Sequence, residues 1–332
     1  MPQLPQARGP LTEGLFGSLA GPVGDVGAPA AAADDSLRDD DLQLALYACY
    51  ELSYRGFDGV PEEWESAPAL IAFRSGLEAG FELALREAVG PVGEPPPPED
   101  MDLALRAIAD ADDAPPLSRH VERDADVEQV REFVIHRSAY QLKESDPHAW
   151  ALPRLSGGPK AALVEILHDE YGGGDAARIH AQLFADAMEA LGLDPSYGAY
   201  LDRIPGVTLA TVNLMSMLGL HRRWRGAICG HLALFEMTSS VPNRRYADGL
   251  RRLGLGRRAT AFFDEHVVAD AVHENIAAVD LAGGLARAEP DVAGDIIWGA
   301  RALALVEANW ARHLMDAWEQ GATSLLRAPV TA

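Results

Sequence analysis

The feature that most constrains the fold is the helical spacing of apolar residues, which continues almost without interruption from Asp126 towards the C-terminus. A half-buried strand would instead alternate apolar and polar residues, and no convincing alternation of that kind is found. The sequence therefore predicts an all-α architecture, with helices long enough to enclose an internal site. The predicted helices of this region lie near residues 126–145, 159–171, 175–191, 208–220, 223–239, 243–254, 258–281 and 290–325.

The N-terminal part of the chain has a different character. Residues 1–35 are rich in Gly, Ala and Pro and show no periodicity, which predicts a disordered or loosely draped segment. After it, helices are predicted near 39–54 and 67–89, followed by a stiff linker at Pro95–Pro98. We thus predict an N-terminal segment, a helical extension with a Pro-rich linker, and a core domain, with the boundaries 1–35, 36–125 and 126–328.

The composition narrows the choice of partners. The formal net charge is −22 at pH 7, from 28 basic and 50 acidic residues. This charge disfavours nucleic acid and anionic membranes as partners and is compatible with a cationic substrate. Cys49 and Cys229 suggest no disulfide framework, and neither a membrane-spanning segment nor a signal peptide is recognised. We therefore expect a cytoplasmic protein.

The most specific motif consists of His266, Asp270 and His273. On a helix, residues at positions i, i+4 and i+7 share one face, so two imidazoles and a carboxylate point the same way. Such a set suits a borderline divalent metal such as iron, which accepts mixed nitrogen and oxygen ligands. The alternative interpretation is a solvated helix face.

Four further candidate ligands lie on separate predicted helices, and each has an alternative interpretation. Glu236 has apolar neighbours, so its carboxylate is costly unless it is protonated, bound to metal or paired, for example with Arg244. His180 lies on an apolar face, where a lone histidine is more often a hydrogen-bonded core residue. Glu144 by itself resembles a surface residue. Glu170 precedes three glycines that allow a sharp turn, and by itself resembles a helix-end residue facing water.

Glu165 and His168 test a ferritin-like alternative. A carboxylate and a histidine three residues apart form the ferritin-type element, but that architecture needs two such elements and only this one is found. The ferritin-like arrangement is therefore disfavoured. The sequence also contains no nucleophile elbow, P-loop or dinucleotide-binding fingerprint, so hydrolytic and nucleotide chemistry have no support.

Together these motifs resemble those of the haem-oxygenase-like di-iron oxidases and oxygenases, also described as iron-containing redox enzymes. The resemblance runs from about Val127 to Leu326 and fills every expected ligand position. It implies a haem-oxygenase-like helical bundle with an internal di-iron site. Its carriers are Glu144, Glu170 with the following Tyr-Gly-Gly-Gly, His180, Phe235-Glu236, and the motif of His266, Asp270 and His273.

The resemblance also implies the roles of these residues. His180 and His266 would bind one iron, with Glu170 close by. Asp270 and His273 would hold the second iron. Glu144 and Glu236 would bridge the two ions or shift between them. Residues 1–125 have no counterpart in the minimal fold, so they either pack onto it or build the surface of a homodimer.

The function that the resemblance implies is oxidation by O2 of a small-molecule substrate, with two iron ions and an external electron donor. Family members include an arginine N-oxygenase, a fatty-acid decarboxylase and an enzyme that fragments an amino-acid side chain. Because Glu170 resembles the additional carboxylate of the N-oxygenating branch, we expect N-oxygenation of an amine or amino acid. The alternatives are oxidative C–C or C–H cleavage of an amino or fatty acid, a non-catalytic iron-binding protein, and haem degradation, which the carboxylate-rich core opposes.

Overall fold

The computed structural model describes residues 1–27, 35–111 and 113–327, and every regular element in them is helical. The all-α prediction is thereby confirmed. One element, Ile276–Ala282, is a π-helical segment between two α-helices. None of the described helices is long and apolar enough to cross a membrane. The α-helices are α1 (Pro10–Leu19), α2 (Asp40–Glu51), α3 (Pro68–Val89), α4 (Met101–Asp110), α5 (Leu117–Arg123), α6 (Val127–Gln141), α7 (Asp146–Ala149), α8 (Gly157–Glu170), α9 (His180–Ala190), α10 (Gly206–Leu220), α11 (Arg225–Arg252), α12 (Arg257–Asn275), α13 (Gly283–Ala288) and α14 (Ala293–Glu319).

The centre of the bundle is α10, in which every residue from Gly206 to Gly219 is buried. A helix that is apolar on all sides belongs in a core, and here α2 and α14 pack against it. α11 packs along both α12 and α14. Its contact with α14 is very close, because a Cβ at Gly230 would collide with the backbone of Ile296, and one at Gly299 with that of Ala227. Glycine at these two positions therefore lets the two long helices lie directly against each other.

The N-terminal segment is ordered over residues 10–19, so the prediction of disorder is wrong there. α1 begins at Pro10 and buries Leu15 and Leu19 completely. Asp41 of α2 holds the start of α1, since its carboxylate accepts hydrogen bonds from the backbone N–H of Leu11 at 2.8 Å and from the Thr12 hydroxyl at 2.5 Å. A short helix of this kind is stabilised by tertiary contacts, which the Gly- and Pro-rich composition does not reveal. Residues 28–34 lie outside the described residues.

The helical extension shares a buried ion pair with the rest of the bundle. The Lys143 ammonium lies 2.8 Å from Oε2 of Glu51 on α2, and the two side chains are 1% and 0% exposed. The rings of Tyr47 and Tyr54 face the same ammonium, with their centroids at 4.6 and 4.3 Å. Because Lys143 precedes Glu144 in the chain, this ion pair ties the extension to a segment that carries a candidate ligand.

Replacing Glu51 with glutamine is expected to lower the free energy of unfolding by about 3 kcal/mol, because Lys143 would stay buried without a charged partner. Chemical denaturation of the full chain measures this loss. The matched control is Asp113→Asn, which breaks the ion pair between Arg312 and Asp113, whose side chain is 86% exposed. This substitution should change the free energy of unfolding by less than about 1 kcal/mol. Equal effects of the two substitutions would show that the buried pair is not a structural tie.

The boundaries of α11 and α9 differ from their predictions. α11 runs unbroken through Pro242, although a break between residues 239 and 243 was predicted. A proline inside a helix costs about 3 kcal/mol, and the packing of α11 against α5, α12 and α14 outweighs that cost. α9 begins at His180 rather than at Asp175, because the Asp175 carboxylate accepts a hydrogen bond from Ala177 N at 3.0 Å and so caps a separate short 3-10 turn.

The segment after α6 also differs from its prediction. The helix ends at Gln141, not near residue 145. The backbone then turns through Ser145, which has a positive φ of 68°. This is the one positive φ outside glycine among the described residues, and such a conformation is uncommon for residues with a Cβ. Glu144 is therefore presented by a turn rather than by a helix.

Candidate metal centre

All seven predicted site residues are buried, and the most exposed of them, Glu144, keeps 6% of its surface accessible. They come from five separate segments of the chain. The turn after α6 supplies Glu144, the end of α8 supplies Glu170, the start of α9 supplies His180, α11 supplies Glu236, and α12 supplies His266, Asp270 and His273.

α12 has the amphipathic arrangement that its sequence predicts. His266, Asp270 and His273 are 4%, 1% and 0% exposed. On the opposite side of the helix, Val268 and Val272 are 72% and 59% exposed. In this second half of α12 the three polar side chains face the interior and the two valines face solvent, which is the reverse of an ordinary surface helix. This inversion argues against the alternative of a solvated helix face.

The glycine turn after α8 brings His180 to Glu170. Gly172–Gly174 all adopt positive φ angles, of 69°, 64° and 86°. A Cβ at Gly172 would lie 2.6 Å from the carbonyl carbon of Arg178, so only glycine allows the chain to fold back this closely. As a result Nδ1 of His180 lies 3.0 Å from Oε2 of Glu170. The sharp turn predicted at the three glycines is confirmed, and at Gly172 it brings two backbone segments into close approach.

The potential ligand atoms gather in two groups, within each of which all atoms lie within 4.8 Å of one another. Glu170 belongs to both groups. Representative separations are 3.3 Å between His266 Nε2 and Glu144 Oε1, and 3.5 Å between His273 Nδ1 and Glu236 Oε2. The first group consists of Glu144, Glu170, His180 and His266, and the second of Glu170, Glu236 and His273.

Asp270 lies in the same buried region but belongs to neither group. Its Oδ2 accepts a hydrogen bond from the hydroxyl of Ser239, which follows Glu236 on α11 by three residues. Its Oδ1 is buried and has no hydrogen-bond partner. The contact with Ser239 therefore holds the Asp270 carboxylate against α11 and leaves one oxygen unsatisfied.

The pKa values of the carboxylates diverge strongly within this region. Burial raises the pKa of Glu236 to about 8, and the nearby charges of Asp270 and Glu170 contribute to the rise. Burial acts on Glu170 in the same direction, but the close contact with the His180 imidazole and the positive charge of the surrounding imidazoles lower its pKa to about 2. Glu170 is thus the carboxylate that the surrounding charges hold in its ionised form.

The pKa values of two histidines are raised. Burial alone would lower the pKa of His273, but Glu236 and Asp169 outweigh burial and raise it to about 9. Burial would also lower the pKa of His266, but the carboxylates of Glu144, Asp270 and Glu170 together raise it well above its usual range. Without a metal, both imidazoles therefore hold protons at neutral pH.

Metal binding at this site is expected to become tighter as the pH rises from 6 to 9. A metal binds only neutral imidazole, so it must displace the protons of His266 and His273, and the cost of doing so falls as the pH approaches their raised pKa values. Anaerobic titration of the metal-free protein with iron(II) at several pH values measures the effect. The variant His168→Ala, which changes an exposed histidine on α8, should show the same pH profile. An affinity that is constant or falls over this range would contradict the assignment.

The donor atoms of the site fit a metal. Oε2 of Glu144, Nδ1 of His180, Oδ1 of Asp270 and Nδ1 of His273 are all buried without a hydrogen-bond partner. For His180 this holds despite the short distance to Glu170, because the angles are not those of a hydrogen bond. Buried polar atoms are normally paired, and unpaired carboxylate oxygens and imidazole nitrogens that face one another suit iron(II).

Contacts behind the site orient two of the imidazoles. Nδ1 of His266 donates to the carbonyl oxygen of Phe262 at 2.8 Å, which leaves Nε2 facing Glu144. Nε2 of His273 lies 3.2 Å from the Asp169 carboxylate, which leaves Nδ1 facing the second group. Sequence reasoning missed Asp169 and Ser239. Their only sequence signal is proximity, since Asp169 adjoins Glu170 and Ser239 lies about one helical turn after Glu236.

Glu165 and His168 take no part in the site. Both are exposed on the outer side of α8, whereas Glu170 at the end of the same helix is buried. The pair that could have supported a ferritin-like arrangement therefore faces away from the buried ligand groups. The structure agrees with the expectation that this alternative is disfavoured.

A cavity of about 390 Å³ leads to the first ligand group. Glu144 and His266 line its buried end. The N-terminal extension forms part of its outer wall, through residues at the end of α4 and the start of α5. Seven aromatic side chains contribute to the wall, namely Phe133, Phe184, Phe235, Phe262, Phe263, Tyr246 and Trp310.

A helical bundle that encloses carboxylates and imidazoles in this way belongs to the class of all-α proteins that can hold a metal between their helices. The sequence matches the family model described as "Iron-containing redox enzyme" over residues 131–308, which is more than half of the chain. The chain therefore belongs to the family of iron-containing redox enzymes.

One solved structure with the same fold is that of a CADD-like protein of unknown function from Nostoc punctiforme. It has a TM-score of 0.53 and 18% sequence identity, and the alignment covers 68% of this chain and 99% of that one. At this identity the likeness concerns the fold alone, and together with the family match it confirms the predicted haem-oxygenase-like bundle. No curated protein matches the sequence.

Proposed function

We propose that this protein is an O2-dependent, non-haem di-iron oxidoreductase that acts on a small organic substrate. The observation that carries the proposal is the position of Glu170 in both groups of ligand atoms, next to a cavity that ends at Glu144 and His266. Because a carboxylate has two oxygens, one that belongs to both groups can bind two adjacent metal ions. Membership of a family of iron-containing redox enzymes supports iron as the metal.

The seven buried side chains would hold the two ions. The first group would bind one iron through two imidazoles and two carboxylates, and the second would bind the other through Glu170, Glu236 and His273. Asp270 would complete the second set with the oxygen that now lacks a partner. When bound, iron(II) supplies the electrons that activate O2, and an external electron donor would restore that oxidation state between turnovers.

The protein itself would orient the metal ligands and exclude water from the site. Asp169 and the carbonyl oxygen of Phe262 fix the ring orientations of His273 and His266, which keeps one nitrogen of each directed at the centre. The aromatic wall of the cavity keeps bulk water from the buried end, where it would otherwise intercept the oxidant. Ser239 holds the Asp270 carboxylate through Oδ2, which leaves Oδ1 available to a metal.

Two reaction types are candidates. We place N-oxygenation of an amine or amino acid first, because Glu170 takes a central position in the site and is the carboxylate in which the sequence resembles the N-oxygenating branch. The second candidate is oxidative C–C or C–H cleavage of an amino or fatty acid. The aromatic lining of the cavity favours this second reaction, since it suits a substrate with a hydrocarbon body.

The proposal is tested by anaerobic loading with iron(II), metal analysis and exposure to labelled O2 with a panel of amines, amino acids and fatty acids. We expect about two irons per chain and O2 consumption that one substrate class accelerates. Label in a nitrogen-containing product supports N-oxygenation, and release of a carbon fragment supports cleavage. Zinc-loaded protein is the matched control and should consume no O2. Iron binding without any effect of substrate on O2 consumption would contradict the enzymatic proposal and favour an iron-binding protein.

A further inference from the structure

The charge of the cavity lining is opposite in sign to that of the whole chain. Apart from the candidate metal ligands, the charged side chains that line the cavity are Arg119, Arg137, Arg245 and Glu307, whereas the chain carries a formal net charge of −22. Among the described residues Arg119 and Arg245 have no acidic partner, and Arg245 donates instead to the hydroxyl of Ser118 at 3.1 Å. A cleft with an excess of positive charge attracts anions even in an acidic protein.

Arg137 is the most deeply placed of these arginines. Its guanidinium donates to both carboxylate oxygens of Glu307, at 2.9 and 2.6 Å, and lies over the ring of Trp310 at 3.7 Å from the centroid. Glu307 occupies only part of the guanidinium's donors, and the remaining N–H groups have no acceptor among the described residues. Such a planar set of donors, held in place by stacking, suits a carboxylate.

Stability alone does not account for an ion pair in this aromatic wall. Replacing a buried ion pair by apolar residues of similar size is often neutral or stabilising, because both charges must be removed from water. The side chains of Arg137 and Glu307 are only 16% and 24% exposed, so they bear much of this cost. A role in ligand binding explains why charges stand at this point of the cavity.

The position of Arg137 sets a length for the ligand. Phe133, Arg137 and Gln141 follow one another at four-residue spacing on α6, Glu144 comes three residues later, and all four line the cavity. With a rise of 1.5 Å per residue, Arg137 lies about 6 Å before Gln141 along α6, and Glu144 follows in the turn beyond the end of the helix. Gln141, whose Oε1 is buried without a partner, lies between them. A group bound at Arg137 is therefore separated from the candidate metals by the length of a small molecule.

We propose that Arg137 binds a carboxylate of the substrate, that Arg119 and Arg245 attract this group at the entrance, and that the opposite end of the molecule faces Glu144 and His266. The substrate is then an organic acid with an apolar or aromatic body, and the centre meets the end remote from the carboxylate. This inference rests on the proposed function. Glu307, beside the carboxylate site, is placed to accept a hydrogen bond from an α-ammonium group, so amino acids and simple acids both fit, whereas amines without a carboxylate do not.

Three probes with the same aromatic body test the chemistry, namely 3-phenylpropionate, L-phenylalanine and 2-phenylethylamine. Their dissociation constants are measured by calorimetry on the iron(II)-loaded full chain in the absence of O2. We expect at least one of the two acids to bind about tenfold more tightly than the amine, or better, since a charge-assisted hydrogen bond to Arg137 is lost with the amine. The acid that binds more tightly shows whether the carboxylate belongs to a simple acid or to an amino acid. Tighter binding of the amine would overturn the proposal.

The double variant Arg137→Met with Glu307→Met locates the carboxylate. It removes both charges at similar volume and is therefore expected to keep the fold, which thermal unfolding checks. The preferred acid should bind about tenfold more weakly, or worse, while the control Arg312→Met, on the same helix as Glu307 but outside the cavity lining, should bind it normally. An unchanged affinity in the double variant would place the carboxylate on the iron and overturn the proposal.

A single variant at Arg245 gives a second test, which does not depend on whether the double variant folds. Arg245→Gln should slow association of the preferred acid and weaken its dependence on salt, because Arg245 acts through long-range attraction. An association rate equal to that of the wild type would count against the entrance role. Binding of acids that depends on Arg137, without any O2-dependent reaction, would sink the proposed function and leave this inference standing. Oxidation of an amine that the double variant does not affect would overturn this inference and leave the proposed function standing.

Discussion

Replacing Glu170 with alanine is expected to remove both irons, the largest effect of any single substitution in the site. Glu170 is the only residue that belongs to both groups of ligand atoms, and its low pKa of about 2 makes it the carboxylate that is ionised before a metal arrives. Without it, each group loses a negative ligand and three histidines lose their counter-charge. Metal analysis after anaerobic loading should show near-zero iron, against about two irons per chain in the wild type.

The matched control for this substitution is Glu165→Ala. Glu165 is a glutamate on the same helix, α8, but it is exposed and takes no part in either ligand group. It should load iron like the wild type, and its thermal unfolding should match that of the wild type within about 2 °C. Full loading of the Glu170→Ala variant, or loss of iron from Glu165→Ala, would show that the centre has been assigned to the wrong side of α8.

Replacing His273 with alanine is expected to lower the iron content from about two to about one per chain and to abolish O2-dependent turnover. His273 is the one imidazole of the second group, whereas the first group keeps both His180 and His266. The fold should persist, because the lost side chain supplies a ligand rather than a core contact. Imidazole added to the buffer should restore part of the iron content by filling the space that the side chain leaves.

The control in this case is His168→Ala, since His168 is exposed and lies outside both groups. It should retain full iron content with or without added imidazole. Loss of all iron from the His273→Ala variant would show that the two positions load as one cooperative unit, which contradicts the division into two groups. Unchanged iron content would exclude His273 as a ligand.

The part of the site on α12 could be predicted from sequence because it depends only on helix geometry. His266, Asp270 and His273 share a face at any position where the segment is helical, and their burial agrees with this. The turn at Gly172–Gly174 was likewise predictable, because close backbone approach requires glycine. The resemblance then indicated which distant glutamates and histidines accompany them, and the structure brings these into the same buried region.

Other features could not be predicted, because they arise from contacts between segments that are distant in the sequence. α1 forms where composition suggested disorder, since Asp41 of another helix holds its first turn. α11 continues through Pro242 because neighbouring helices pack along it. The carboxylate of Asp270 turns to Ser239, which no spacing rule places beside it. The sign of the charge in the cavity is also opposite to the one that net charge suggests.

The sequence by itself determined the all-α class, the family and the inward face of α12, because helical periodicity and motif spacing are properties of consecutive residues. Only the tertiary structure decided that Glu170 belongs to both ligand groups, that the extension forms part of the outer wall of the cavity and that Arg137 lines the same cavity as Glu144 and His266. These are distances and orientations between separate elements. They are set by how the helices pack against one another, and packing depends on the shapes of all the buried side chains together.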